Sequence, residues 1–320
     1  MSRGLKRFFI VCAAAAGIGL ILAAAGFVSG GIGAFDRVAD RYDWISGSPG
    51  EMKYEDVEHA ADFDSIRIRG DMDVRIRSGK HDSVKIGYGE NMKAPAVKFS
   101  DGVLTVDGTD RHKGITINLT SSNYEPVIEV ICSSDRTLNA INIETENGDV
   151  EITDMHAGSI AVESEYGELC MNAVTFDRGS FDVENGDIEC SDIVSSGMSI
   201  ENEYGDCSLS GELSGNNEIS MENGSLQIYT SLSENQYRTS ARTESGALCI
   251  GNYYNDDFEC SFDGGSGPNK LNLSSEYGDV KVNFDCGRTG SRAGASGSSG
   301  TKAGSDTHGG MKHQEHGSEH

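Results

Sequence analysis

The chain has 320 residues, and its 26 Lys and Arg against 51 Asp and Glu give a formal net charge of −25. A chain this acidic repels the phosphates of nucleic acids, so we expect no nucleic-acid partner. Its 41 Gly and 4 Pro predict many tight turns, and its 37% hydrophobic residues follow regular patterns, which argues against a disordered acidic protein.

The N-terminal segment predicts one transmembrane helix. Phe8 to Val28 carry no charge and would span about 31 Å at ~1.5 Å per residue, enough for one bilayer crossing. Arg3, Lys6 and Arg7 precede this span, so the positive-inside rule places the N-terminus in the cytoplasm and the rest of the chain outside the cytoplasm. A cleaved signal peptide, with Ala23-Ala24-Ala25 as its cleavage site, is the alternative.

Composition divides the chain into four segments. We predict a membrane anchor in residues 1–35, a linker or stalk in residues 36–60 and a repeat domain in residues 61–286. Residues 287–320 are rich in Gly and Ser and poor in apolar surface, so we expect this tail to be disordered.

A motif of Glu, a variable residue and Gly recurs through the repeat domain. Its glycines lie 19, 19, 19, 19, 22 and 32 residues apart, at Gly148, Gly167, Gly186, Gly205, Gly224, Gly246 and Gly278. A fixed period near 20 residues is typical of a solenoid. Since Gly adopts a positive φ without a Cβ clash, we interpret each motif as a tight turn between strands. The two longer spacings then indicate insertions at turns.

Apolar and polar residues alternate on both sides of each turn, as in Val150/Ile152 and Ile160/Val162. This alternation predicts strands with one buried face. Two strands and two turns per 19 residues predict an all-β fold, a stacked β-solenoid. Successive coils would lie ~4.8 Å apart, so that equivalent residues form ladders. Less regular strands between residues 62 and 132 should join the same sheet system at its N-terminal end.

These features together resemble a known bacterial family. A predicted membrane segment leads into Ile66-Arg67-Ile68 and Val74-Arg75-Ile76, and then into strands marked by Glu-Asn-Gly-Asp and Glu-Tyr-Gly-Asp turns. Over about residues 50–285 the chain is similar to the putative-adhesin family of β-strand repeats, a domain of unknown function related to the head GIN domain. The resemblance implies the solenoid fold and an adhesive role, and it implies no particular catalytic or ligand-binding residues.

The turn glutamates should stack into a ladder of like charges. Each pair at strand spacing repels by roughly 1 kcal/mol even in water. A second acidic column of Asp149, Glu168, Asp187, Asp206 and Asp279 would add to the repulsion. Bound Ca²⁺ would relieve it. No known calcium motif is present, so a solvated acidic edge is the alternative. The candidate metal ligands are Glu146, Glu165, Glu184, Glu203 and Glu222.

The residue between Glu and Gly alternates along the chain between Asn and Tyr, from Asn147 to Asn223. Tyr166, Tyr204 and Tyr277 are candidate binding residues, because exposed Tyr supplies rigid amphipathic contact area for a protein or a sugar. The alternative is turn chemistry alone, with each Tyr packed over the adjacent turn.

The eight Cys show no metal-ligand spacing, and we interpret them as free thiols, with disulfides as the alternative. Cys170 and Cys249 are out of phase with their apolar neighbours, so they should face solvent. The four His of the tail could bind a transition metal, or they could simply add polarity.

The function that these patterns favour is a non-catalytic, membrane-anchored, adhesin-like module outside the cell. Repeated weak contacts to a protein or glycan would add up through multivalency. An envelope scaffold, a signalling partner of another membrane protein, or a polymer formed by end-to-end stacking of open strand edges is the alternative. A polysaccharide-acting β-helix enzyme is a remote alternative, since a 19-residue coil leaves little wall for a cleft.

Overall fold

The computed structural model describes residues 52–57, 62–89, 92–109 and 126–286. These residues form 21 strands of one sheet system and one turn of 3-10 helix, Glu234–Gln236. The all-β prediction is confirmed. The predicted transmembrane span and the predicted disordered tail lie outside the described residues. Within the described residues, no helix has the length and apolar character needed to cross a membrane.

The N-terminal strands begin earlier than the sequence predicts. They are β1 (Met52–Asp56), β2 (Ser65–Arg69), β3 (Asp73–Gly79), β4 (Ser83–Gly89), β5 (Ala96–Ser100), β6 (Val103–Asp107) and β7 (Val127–Ser133). Strand β1 pairs antiparallel with β4, with Met52 opposite Gly89. The prediction that all of residues 36–60 form a linker is therefore wrong at its C-terminal end. The strand is mostly exposed, so it lacks the apolar alternation that would have revealed it.

The central coils have the predicted 19-residue register. Their strands are β8 (Leu138–Asn147), β9 (Val150–Thr153), β10 (His156–Tyr166), β11 (Leu169–Asn172), β12 (Thr175–Asn185), β13 (Ile188–Tyr204), β14 (Cys207–Asn223) and β15 (Leu226–Thr230). Neighbouring coils pair in parallel, and Val162 lies between Ile143 and Phe181. The predicted stack of solenoid coils is confirmed.

The C-terminal coils do not stack in chain order. Their strands are β16 (Tyr237–Ser245), β17 (Leu248–Ile250), β18 (Tyr253–Asn255), β19 (Cys260–Gly265), β20 (Asn269–Tyr277) and β21 (Val280–Asn283). Strand β20 lies between β14 and β16, and β21 lies between β15 and β17. The expectation of a sequential stack with insertions at turns is wrong here. The inserted residues form β18 and β19, which pair antiparallel with β17 and β16. The chain then returns to form β20 and β21, which lie between that coil and the preceding one.

The N-terminal end has the same kind of exchange. Strand β2 lies between β6 and β8, and β3 lies between β7 and β9. Strands β2 and β3 form this exchanged coil, and they carry the arginines of the Ile-Arg-Ile-Arg and Val-Arg-Ile-Arg segments. Arg69 Nε lies 2.5 Å from Glu144 Oε2, and Arg77 Nε lies 3.0 Å from Glu129 Oε1. These ion pairs place cations against the first carboxylates of the neighbouring coils.

The core is a set of columns that run through every coil. Each inward position stacks on its equivalents, so no coil buries its apolar face alone. One such column is at most 3% exposed and consists of Ile143, Val162, Phe181, Ile200, Ile219, Leu273 and Ala241.

The turn glycines are required by the close approach of adjacent coils. A Cβ on Gly205 would lie 2.1 Å from the carbonyl oxygen of Gly186, and a Cβ on Gly224 would lie 1.9 Å from that of Gly205. The φ angle of Gly205 is +145°, which side-chain-bearing residues rarely adopt. At the same place the Gly205 amide donates a hydrogen bond to the Asn223 carbonyl, with an N–O distance of 3.0 Å. The main-chain ladder thus continues through the turn.

Replacing a ladder glycine should cost more than replacing an ordinary turn glycine. We expect Gly205→Ala to lower the free energy of unfolding by roughly 3 kcal/mol or more, because strain adds to a main-chain collision. The control is Gly102→Ala, at a φ of +77° with Asp64 Oδ1 at 3.3 Å as the nearest atom to the new Cβ. It should cost about 1 kcal/mol. Urea unfolding measures both, and equal losses would contradict the collision as the cause.

Candidate functional site

The candidate binding tyrosines form a regular row in the structure. In stack order the turn position reads Asn147, Tyr166, Asn185, Tyr204, Asn223, Tyr277 and Ser245. The exchanged coil brings Tyr277 next to Asn223, so a Tyr stands at every second coil. Because parallel strands lie ~4.8 Å apart, successive Tyr positions are about 9.5 Å apart. We call Tyr166, Tyr204 and Tyr277 the tyrosine ladder.

The rings of the tyrosine ladder are exposed. Tyr166 is 53%, Tyr204 is 52% and Tyr277 is 58% exposed. Their hydroxyl groups form no hydrogen bond within the part of the chain that the structure describes. One of the Asn residues between them is held by a hydrogen bond to the neighbouring turn. Asn185 is partly buried, and its Nδ2 donates to the Glu165 carbonyl of the preceding coil at 3.3 Å.

The predicted glutamate ladder is present and follows the exchanged coil order. Its members, in stack order, are Glu146, Glu165, Glu184, Glu203, Glu222, Glu276 and Glu244, each directly before the Asn, Tyr or Ser of its turn. Partial desolvation, and then the negative charges of Glu165 and Glu203, raise the pKa of Glu184 above its ordinary value. The like-charge repulsion that the sequence predicts therefore acts on the centre of this row.

The second acidic column has a structural role that its sequence pattern does not reveal. Asp149 Oδ1 accepts a hydrogen bond from the Glu168 amide at 2.9 Å, and Asp187 Oδ1 accepts one from the Asp206 amide at 2.8 Å. Asp206 accepts the Ser225 amide in the same way. Each of these carboxylates thus binds the main chain of the next coil, which stabilises a negative charge without a cation. These hydrogen bonds give Asp149, Asp187 and Asp206 a structural role, and calcium binding at this column stays a prediction.

Polar side chains also line the buried side of the turn. Asn202 is 2% exposed, and its Nδ2 donates to the Gly186 carbonyl at 2.8 Å. Thr243 Oγ1 donates to the Gly278 carbonyl at 3.0 Å. Because the turn carbonyls point toward this column, inward positions that alternation alone predicts to be apolar hold hydrogen-bond donors.

A further acidic column lies on the outer face of the long strands. Glu144, Glu163, Asp182 and Glu201 are in register, two residues before the glutamate ladder. Their 19-residue spacing could have revealed them in the sequence. The N-terminal part of this column borders a depression of about 520 Å³. The residues that line this depression come from β2, β8, β10 and β12, which are neighbouring strands of one sheet. No other element of the described chain lines the opposite side of the depression.

The glutamate ladder is a row, whereas a metal site requires ligands that converge. Within the described residues, no group of three or more His, Cys, Asp or Glu side chains is placed to hold a metal ion. The assignment of Ca²⁺ to Glu146, Glu165, Glu184, Glu203 and Glu222 stays a prediction. The histidines of the tail lie outside the described residues.

The seven cysteines among the described residues are free. Cys170 and Cys249 are partly exposed, as their phase in the strands predicts. Cys190 and Cys207 face the core, and burial raises the pKa of both thiols well above the ordinary value. These two buried cysteines therefore serve as small apolar core residues and lack the thiolate character of a reactive nucleophile.

The family model of the Toastrack domain, DUF4097, matches residues 63–308. The chain belongs to the Toastrack DUF4097 family. No curated protein matches it.

The Toastrack chain is also similar to solved structures. A putative adhesin from Bacteroides fragilis is 12% identical, with a TM-score of 0.42, and the match covers 74% of this chain and 100% of that one. A putative adhesin from Parabacteroides distasonis is 9% identical, with a TM-score of 0.35, over 73% of this chain and 98% of that one. A putative lipid binding protein from the same species is 13% identical, with a TM-score of 0.33, over 75% and 99% of the two chains.

The raised pKa of Glu184, caused by desolvation and then by like-charge repulsion, predicts a pH-dependent stability. A carboxyl whose pKa is raised by folding destabilises the fold as pH rises from its ordinary value, 4.5, through the raised one. We expect Glu184→Gln to raise the melting temperature at pH 7, and the gain to vanish below about pH 4, where the carboxyl is protonated in both states.

The matched control for this measurement is Glu189→Gln. Glu189 belongs to the coil of Glu184 but lies on a different strand, β13, between the uncharged Cys170 and Ser208. Removing its charge should raise the melting temperature less. A Glu184→Gln variant that is no more stable than the parent at pH 7 would contradict repulsion within the ladder.

Proposed function

We propose that this Toastrack protein is a non-catalytic, adhesin-like interaction module of the cell envelope. The observation that supports the proposal best is the in-register repetition of exposed side chains at one edge of the stack. Tyr166, Tyr204 and Tyr277 recur at every second coil beside an unbroken row of glutamates. A partner with its own repeat meets several equal contacts there, and weak contacts linked in this way produce high avidity.

A non-catalytic role fits the outer face of the long strands. The depression beside Glu144 and Glu163 is formed by neighbouring strands of one sheet, and a second depression of about 430 Å³ near Glu201 and Arg242 likewise lies across adjacent strands. Enzyme sites usually enclose most of a small ligand between walls. Contact with an extended surface or polymer suits this geometry better.

The proposed location is outside the cytoplasm, with the uncharged Phe8 to Val28 segment as a single-pass membrane anchor. Arg3, Lys6 and Arg7 before that segment, with no cationic excess directly after it, support this orientation. Display on the outer side would present the tyrosine ladder to proteins or glycans beyond the membrane.

The second candidate is an envelope scaffold, either bound to another membrane protein or assembled end to end. Both ends of the stack carry antiparallel strands, and β1, β18 and β19 have five, three and six residues. Short edge strands offer few free main-chain groups for pairing. We therefore favour the adhesin-like role over a polymer.

Cysteine labelling of intact cells tests the location. The native Cys170 is a slow target, because partial burial and the nearby Glu168 and Glu189 raise its pKa. An Asn272→Cys variant places a thiol at an exposed position of β20. We expect a membrane-impermeant maleimide to label it without lysis, while the buried Cys207 remains unlabelled. Labelling only after lysis would place the domain in the cytoplasm and overturn the proposed location.

Cell retention on coated surfaces tests the adhesive role. We expect cells that display the chain to be held on at least one protein or glycan surface. Retention should fall roughly tenfold or more in the triple variant Tyr166→Asn, Tyr204→Asn, Tyr277→Asn, because multivalent contacts are lost together. Tyr254→Asn, at an exposed Tyr outside the ladder, is the control. If cells with and without the chain are retained equally on every surface, the adhesive role is wrong. Specific crosslinking to one membrane protein would then favour the scaffold.

A further inference from the structure

We propose that the tyrosine ladder, with the carboxylates beside it, is a docking surface for an extended polypeptide in the polyproline II conformation. The segment would carry a Lys or Arg at every third position. This inference deepens the proposed function and depends on it, because it names the class of partner that the interaction module binds.

The spacing of the tyrosines favours this conformation. Successive positions of Tyr166, Tyr204 and Tyr277 are about 9.5 Å apart, since each pair is two coils apart in the sheet. A polyproline II helix has three residues per turn and rises ~3.1 Å per residue, so one of its faces repeats every ~9.3 Å. A β-strand repeats the same face after ~6.6 Å, and an α-helix after ~5.4 Å. Only the first of these matches the ladder.

The charge around the tyrosines favours basic side chains in the partner. Each Tyr directly follows a Glu and precedes, by two residues, another carboxylate: Glu165 and Glu168, Glu203 and Asp206, Glu276 and Asp279. No Lys or Arg occurs in segments 163–168, 201–206 and 274–279. A Lys or Arg over a Tyr ring gains a cation–π contact and lies beside these carboxylates. An acidic partner would be repelled.

The positions between the tyrosines suit the two remaining residues of each turn of the ligand. Asn185 and Asn223 lie there, and both are partly buried. Because Asn is shorter than Tyr, we expect recesses between neighbouring Tyr positions. Proline rings are compact enough to enter such recesses, and proline also fixes the polyproline II conformation before binding, which lowers the entropy cost of association.

A peptide comparison on the full-length chain tests the period. The probe is a peptide of three Pro-Pro-Lys units, ~28 Å long in the polyproline II form, enough to reach all three tyrosines. The matched control has the same six Pro and three Lys, with the Lys in one block. We expect the regular peptide to bind at least about tenfold more tightly by fluorescence anisotropy. A peptide of Pro-Pro-Glu units should not bind.

Variants of the ladder test its position. The triple Tyr→Asn variant of residues 166, 204 and 277 should weaken the regular peptide roughly tenfold to a hundredfold. Asn already occupies the equivalent position in the alternate coils, so the fold should tolerate it, and an unchanged melting temperature checks this. A triple Tyr→Phe variant retains the rings and should retain binding. Tyr254→Asn should have no effect.

Several results would overturn the proposal, and they are distinguishable from a failure of the proposed function. Equal affinity for the regular and block peptides would show attraction by charge alone. Binding of the amino-sugar polymer chitosan, lost in the Tyr→Asn variant, together with no peptide binding, would reject the polypeptide partner and preserve the interaction module. No binding of peptide or polymer, together with no cell retention, would reject both.

Discussion

The structure depends on the close contact of main chains at the turns. At Gly205 the amide donates to the next coil, while the hydrogen that replaces a side chain leaves room for the carbonyl of Gly186. Hydrogen bonding can continue from one strand, around the turn, into the next strand only if no Cβ is present there. This requirement at every coil fixes the register, and the register then aligns all other positions into columns.

Some columns of side chains at the turn stabilise the stack, and another column destabilises it. On the inner side, Asn202 and Thr243 donate to turn carbonyls, and on the outer side Asp149, Asp187 and Asp206 accept amides from the next coil. These contacts stabilise the turn. At Glu184 the glutamate ladder opposes them, since partial desolvation and then the charges of Glu165 and Glu203 raise the pKa of this carboxyl.

The two ends of the stack follow a common rule. At each end the first or last full coil of the chain lies inside a coil that is nearer to the middle of the sequence: β2 lies between β6 and β8, and β20 lies between β14 and β16. Antiparallel strands form the outer edge at both ends. At the N-terminal end, Arg69 pairs with Glu144, the first carboxylate of the outer acidic column, and Arg77 pairs with Glu129 on β7. The exchange also has a consequence for recognition, because it places Tyr277 in phase with Tyr166 and Tyr204.

The sequence by itself determined the coil, because its signals are local and periodic. The 19-residue glycine spacing, the apolar alternation and the outward phase of Cys170 each depend on residues within one coil or on an exact repeat. The tertiary structure alone decided the order of the end coils. Where an antiparallel strand reverses the chain, coils that are adjacent in the sequence are no longer adjacent in the stack. Gly278 therefore lies between Gly224 and Gly246. In this order the alternation of Asn and Tyr continues, since Tyr277 follows Asn223 in the stack.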